Sequence, residues 1–292
     1  MATSQKKVSI LMLTYNLENY VERAIESCLE QTYQNFEICI VDDNSTDKTF
    51  DIVKKYHKKY PEKIKIYQFP MNVGKYSIQI NYNKGLDMCE GEYIAILDGD
   101  EYMKPDRLKK QVEFLEKNKD FYAVSNEKEV VDKNFKPINA PVNCFKNQKY
   151  LTPKNLILYG NTFSNCWMKR NDDLRLDTSL KTMGDWHFII KMAIRGKLGF
   201  LDEKLTTKVI HDINVSHTRV KSIEEDYLLT LASLEYEFPQ FVKYTKIRRA
   251  NFFVDKVLKG RDFRYLNGIA SVGLITLTKV FYYKIKGKII KG

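Results

Sequence analysis

The stretch GEYIAILDGDEY, residues 91–102, decides how this chain is read. Tyr93, Ile94, Ala95, Ile96 and Leu97 form an unbroken apolar run of strand length, which fits a strand buried on both faces of a sheet. The run ends by delivering Asp98, Asp100 and Glu101 where the chain leaves the core. Three carboxylates so close repel one another unless a positive charge answers them. A metal ion and a basic side chain are the two ways to supply it.

Upstream, the sequence alternates strand and helix signals. Val8–Thr14 is a first apolar run, and Leu17–Gln31 carries Val21, Ile25 and Leu29 at helical spacing. Phe36–Val41 predicts a second buried strand. DNSTDKT then offers capping side chains for a helix that Pro61 stops after Tyr60. Lys63–Phe69 alternates like a third strand, and about Lys75 to Cys89 is helical. Repeated strand–helix units imply an α/β fold, a mostly parallel sheet with helices on both faces. Ligands of such sheets bind at the carboxyl ends of the strands, where Asp42, Asp43 and Asp98–Glu101 fall.

Downstream, Pro105–Lys117 predicts an amphipathic helix, Phe121–Val131 a strand, 134–150 a polar loop and Thr152–Leu158 a helix. Trp186–Arg195 reads as helix, and Leu198–Leu201 as a short extended piece. Beyond about residue 220 the chain turns helical, aromatic and basic, so a boundary is placed there: residues 1–220 as one domain, 221–292 as an extension. The net charge of +11 resides entirely in the tail, since from Lys243 onward 13 basic residues face only Asp255 and Asp262. A neutral body with a basic tail points to an anionic surface or partner. The tail lacks a recognisable nucleic-acid-reading module, which argues against nucleic acid. Five cysteines without a CxxC pair read as reduced thiols in a cytoplasmic protein. The start reads as a first strand rather than a signal peptide.

Several segments taken together resemble the inverting, nucleotide-sugar-dependent glycosyltransferases of family 2, which have the GT-A fold, a Rossmann-like sheet. They are VSILMLTYN (8–16), CLEQTYQNFEICIVDDNSTDKT (28–49), NVGK (72–75) with NKGL (83–86), GEYIAILDGDEY, GDW (184–186) and HDINVS (211–216). The resemblance covers roughly residues 8–217 and leaves out the tail. It implies that Asp100 binds a divalent metal, Mn2+ or Mg2+, and that Asp98 holds the ribose or a metal-bound water. The metal stabilises a departing nucleoside diphosphate, and hard oxygen ligands suit these ions. His211, opening HDINVS, is implied to reach the metal or diphosphate. Glu101 departs from the family, which often has aspartate there.

The resemblance further implies that Asp43 accepts the N3–H of uracil or thymine, with Thr14 and Tyr15 holding base and ribose and Lys75 near the nucleotide or diphosphate. Asp42–Thr46 would equally serve to cap the next helix, through Asn44 or Ser45. Asp185 matches the position of the general base that takes the acceptor hydroxyl's proton. Trp186 would form a sugar-stacking wall beside it; an N-cap aspartate with a core tryptophan is the plainer reading of GDW. His57, His187 and His217 are read as structural.

The tail segment GIASVGLITLTKVFYYKIKGKIIKG (268–292) is interrupted by Lys279. It fits an interfacial helix on an anionic membrane, at the inner face of the cell membrane, as well as a helix packed on protein. The expected activity is transfer of a sugar from a UDP- or dTDP-sugar to a hydroxyl of a glycan or lipid-linked acceptor in bacterial surface polysaccharide assembly. The alternatives are a non-catalytic nucleotide- or glycan-binding subunit, and a membrane-associated scaffold acting through its tail.

Overall fold

The computed structural model describes residues 5–138, 150–160, 163–181, 183–211 and 223–258. The first half of the chain is built as expected. Strand β1 (Val8–Thr14) leads to helix α1 (Val21–Leu29), β2 (Phe36–Asp42), α2 (Thr49–Lys59), β3 (Ile64–Gln68), α3 (Ile78–Met88) and β4 (Tyr93–Asp98). α1 is shorter than its apolar pattern because Leu17–Tyr20 form a turn, the Leu17 carbonyl accepting from the amides of Tyr20 and Val21 at 2.9 Å each. Neither Asn44 nor Ser45 caps α2. Ser45 bonds Asp42, and the Thr49 amide donates instead to Asp47 Oδ1 at 2.9 Å.

The chain continues with β5 (Glu101–Met103), α4 (Arg107–Lys117), β6 (Phe121–Val131), α5 (Pro153–Tyr159), β7 (Met168–Arg170), α6 (Gly184–Arg195), β8 (Lys197–Val209), α7 (Ile223–Glu237) and α8 (Val242–Leu258). Among the described residues these strands make one eight-stranded sheet, ordered β3-β2-β1-β4-β7-β6-β8-β5. The β3-β2-β1-β4 portion is parallel, β7 runs antiparallel to both neighbours, and β6 and β8 are parallel. The short extended piece expected at Leu198–Leu201 is the start of the 13-residue β8. Exposed Asp202–Lys204 hide the strand's continuity, and the β6 pairing shifts register near that point.

Register places the functional ends. Thr14 pairs with Asp42, and Leu13 with Asp98, so β1, β2 and β4 stop at one level. Two apolar clusters sandwich the sheet. One holds Ile10, Ile25, Ile38, Leu97 and Leu115; the other holds Leu11, Ile96, Trp186, Ile190, Leu231 and Leu234. Helix α7, in the stretch read as an extension, packs on this core: Leu231 and Leu234 lie there, and Asp226 accepts the amides of Lys181 and Met183 at 2.9 and 2.7 Å. The boundary near residue 220 and the tail segment 268–292 lie outside the described residues. Cys28, Cys39, Cys89 and Cys166 are buried and free; Cys144 is outside the described residues. Among the described residues no helix is long and apolar enough to cross a membrane.

At the opposite, amino-terminal ends of the strands, buried Glu37 accepts Ser9 Oγ at 2.6 Å and the Glu90 amide at 2.8 Å. Lys7 and Lys65 reach its Oε2 at 2.6 and 3.0 Å. Burial alone would raise this carboxyl, but Lys7, Ser9, the Glu90 amide and Lys65 outweigh it and hold it down at about 2. A depressed folded-state value stabilises the fold above the ordinary pKa of an unfolded glutamate and loses that stabilisation as pH falls toward 2. Urea midpoints measured at pH 6, 4 and 3 are therefore expected to fall more for the natural protein than for Glu37→Gln.

Candidate active site

Strand β4 delivers Asp98 at its last residue, and Gly99 lets the chain turn tightly against β1. A Cβ on Gly99 would sit 2.8 Å from Thr14 Cγ2 and 3.0 Å from the Leu13 carbonyl. Asp98 Oδ2 accepts Asn165 Nδ2 at 3.1 Å, and its Oδ1 lies 3.5 Å from the Tyr82 hydroxyl. Burial, then the charges of Glu101 and Asp100, push the Asp98 carboxyl up to about 7. Such a shift marks a carboxyl whose anion is disfavoured first by burial and then by its acidic neighbours.

The three acids of the motif part company. Glu101 turns inward, only 2% exposed, and both its oxygens accept Lys128 Nζ, at 2.6 and 2.8 Å. The basic side chain thus answers Glu101, while Asp98 and Asp100 stay at the end of β4. Asp100 Oδ2 lies 3.0 Å from His211 Nε2. His211 is buried and stacked on Tyr20, the ring centroids 4.4 Å apart and the planes 16° from parallel. Tyr20 stands just before α1, so the first helix fixes the imidazole plane that faces Asp100.

Asp43 is buried just past β2. Its Oδ1 accepts the Val73 amide at 2.7 Å and its Oδ2 the Gly74 amide at 2.9 Å. It therefore holds the NVGK loop, and each carboxylate oxygen keeps a further lone pair for a ligand donor. Neighbouring Asp42 is wholly internal, taking Thr14 Oγ1 at 3.0 Å and Gln68 Nε2 at 3.0 Å. Thr14 is thus engaged within the sheet end, whereas Tyr15 beside it is 39% exposed. Lys75 is exposed, its ammonium 4.9 Å from the Tyr76 ring centroid.

Asp185 lies in the first turn of α6, exposed, with Oδ1 accepting the Trp186 amide at 2.7 Å. Helix α3 sets its position: a Cβ on Gly184 would meet Gln79 Nε2 at 2.1 Å, so the two helices touch there. Trp186 corrects the expectation of a sugar-stacking wall. It is 3% exposed, donates Nε1–H to the Leu156 carbonyl at 3.1 Å, and stacks on Tyr227 at 5.4 Å. Its ring holds α5, α6 and α7 together. Trp186→Phe, which leaves that carbonyl without its donor, is expected to cost about 1–3 kcal/mol of stability. Activity should stay near that of the natural protein, as urea titration beside a turnover assay would show.

The structure thus brings Asp98, Asp100 and His211 together, with Asp43, Thr14 and Tyr15 on the adjoining strand ends. It adds Tyr20, Tyr82, Asn165 and Lys128, none of which the sequence reading singled out. His57 and His187 have structural partners: the Ile64 carbonyl lies 2.6 Å from His57 Nδ1, and Glu237 3.0 Å from His187 Nε2. His217 is outside the described residues.

The family model for glycosyl transferase family 2 matches residues 9–174, which hold β1 through β7 and the DGD motif. The chain belongs to glycosyl transferase family 2. Among curated family members, the putative glycosyltransferase EpsE of Bacillus subtilis is 41% identical over 121 residues, 41% of this chain and 42% of its own length. The UDP-Glc:alpha-D-GlcNAc-diphosphoundecaprenol beta-1,3-glucosyltransferase WfaP of Escherichia coli is 37% identical over 127 residues, 41% of this chain and 45% of its own. The match thus spans less than half the length of either relative. Staphylococcus aureus TarS 1–349, solved in complex with UDP-GlcNAc, superposes with a TM-score of 0.66 at 20% identity, covering 85% of this chain and 80% of that one. A mannosyltransferase from Pyrobaculum calidifontis, solved with GDP-Man and Mn2+, gives 0.56 at 19% identity over 97% and 74%. The family 2 chain has the expected GT-A fold.

Proposed function

We propose that this family 2 member is a metal-dependent inverting glycosyltransferase that moves a sugar from a UDP- or dTDP-sugar to a hydroxyl of a glycan or lipid-linked acceptor. The observation carrying this reading is the paired Asp100 and His211, 3.0 Å apart, beside Asp98 at the end of β4. A carboxylate and an imidazole at that separation are a fitting donor set for Mn2+ or Mg2+, and a divalent cation would offset the burial and the acidic neighbours that together raise Asp98. Asp100 and His211 would hold the ion, with Asp98 beside them. Such an ion, held there, would supply the positive charge that stabilises a departing diphosphate.

The chain's own groups supply the rest. Asp43 accepts the N3–H of a uracil or thymine ring, a donor that cytosine lacks, while exposed Tyr15 lies against the base. Asp98 holds the ribose, and Lys75 meets the phosphates from the NVGK loop. Asp185 takes the proton of the acceptor hydroxyl as its oxygen bonds to the anomeric carbon, and the bond from that carbon to the diphosphate oxygen breaks. A single in-line displacement inverts the configuration.

The names of relatives support a place in surface polysaccharide assembly: besides WfaP, a putative teichuronic acid biosynthesis glycosyltransferase of Bacillus subtilis is 39% identical over 108 residues. The basic stretch 243–292, with Lys243 and Lys246 exposed on α8, would meet an anionic membrane carrying such an acceptor. The reading also keeps the protein in the cytoplasm, peripheral on the inner face of the membrane. The test is transfer itself. UDP- and dTDP-sugars would be incubated with Mn2+ and a synthetic lipid-linked saccharide, and the new linkage examined by NMR. Product of inverted anomeric configuration is expected; retained configuration would overturn the single-displacement mechanism.

A further inference from the structure

In an in-line transfer the donor sugar lies between the diphosphate and the base, so a side chain adjoining both ends must flank it. Tyr82 meets that requirement. Its hydroxyl is 3.5 Å from Asp98 Oδ1 and 3.4 Å from Asn165 Nδ2, and Asn165 also donates to Asp98 Oδ2 at 3.1 Å. One helical turn before it on α3, Gln79 packs under Gly184 at the start of α6, which carries Asp185. Residues three apart share a helix face, so the face presenting Tyr82 is the one against the base-bearing helix. Burial, then the charge of Asp98, holds the phenol well above its ordinary value, with Asp185 adding to the effect, so the hydroxyl stays a neutral donor.

Resting on the glycosyltransferase reading above, we propose that Tyr82 is a specificity-determining contact to the donor sugar. Its hydroxyl donates to a sugar hydroxyl or ring substituent, and Asn165 is the positioning residue that orients it. The 3.5 Å separation from Asp98 is long for a hydrogen bond, so the phenol can turn to a sugar oxygen at little cost. Asn165 holds Asp98 by its 3.1 Å bond and stands 3.4 Å from the phenol oxygen, so it fixes the carboxylate and limits where the hydroxyl can point. The nucleotide contacts at Asp43 lie on another strand end and are independent of this pair.

Calorimetry with UDP, UDP-glucose, UDP-galactose and UDP-N-acetylglucosamine in the presence of Mn2+ tests the assignment. For the UDP-sugar that the natural protein binds best, Tyr82→Phe is expected to weaken binding about tenfold while UDP stays within about twofold. Asn165→Ser, which also takes a donor from Asp98, should weaken UDP somewhat but the UDP-sugar clearly more, and keeps the test open if the tyrosine variant folds poorly. An equal loss for UDP and UDP-sugar would overturn the proposal by placing both residues on the ribose or diphosphate. Unchanged binding of both would overturn it as well. If the natural protein bound neither UDP nor dTDP, the reading of the whole site would fail, a result distinct from failure of the sugar contact alone.

Discussion

Asp185→Asn is expected to lower the transfer rate by about 10²–10⁴-fold, the usual contribution of a positioned general base. The side chains proposed to meet the nucleotide are carried by other elements, so the dissociation constant for UDP should change by less than about twofold while transfer falls by the full factor. The amide keeps the bond its Oδ1 takes from the Trp186 amide, so the first turn of α6 is preserved and stability should hold. Single-turnover rates beside calorimetry separate the two quantities. Full transfer by the variant would remove Asp185 as the base. Equal loss of transfer and nucleotide binding would make it a binding residue instead.

Lys128→Met should have the largest effect on stability. Glu101 is 2% exposed and Lys128 8%, and the two are bonded through both carboxylate oxygens. Burial works against the Lys128 ammonium, but the charge of Glu101 more than restores it, so Lys128 sits above its ordinary value. Removing one partner strands a buried carboxylate beside Asp98 and Asp100, a change that typically costs about 3–5 kcal/mol. The variant's urea midpoint should fall accordingly, and its Mn2+ affinity should change as the freed acid joins the cluster. The double variant Glu101→Leu with Lys128→Met should recover most of the stability, because neither charge is then left alone. If Lys128→Met unfolded at the same urea concentration as the natural protein, the pair would carry no such stabilisation.

How far the sequence reaches follows from how local each signal is. The parallel half was legible because its strands are continuous apolar runs, and the acids at their ends follow directly in the chain. Asp98 and Asp100 stood out for that reason, and Asp43 because a polar turn follows a buried strand. The partner of Glu101 did not stand out. Lys128 lies on β6, and only the pairing of β6 with β8, and of β8 with β5, brings it to the motif. Tyr20 and Asn165 were hidden likewise, since one is an aromatic in a turn and the other a polar residue before a short antiparallel strand. Trp186 was misread because its neighbour Asp185 is exposed; on a helix, adjacent residues point in different directions, and this one points into α7. β8 was cut short because its exposed middle breaks the apolar pattern that defines a buried strand.

Nucleotide binding by titration calorimetry, with UDP, dTDP, CDP and GDP each tested with and without Mn2+, probes Asp43, Asp100 and His211 together. Binding of UDP or dTDP that depends on Mn2+ is expected, with its loss in Asp100→Asn and no comparable binding of CDP or GDP. Failure of every nucleotide to bind under either condition would contradict the glycosyltransferase reading, and the acids gathered at the strand ends would then need another explanation.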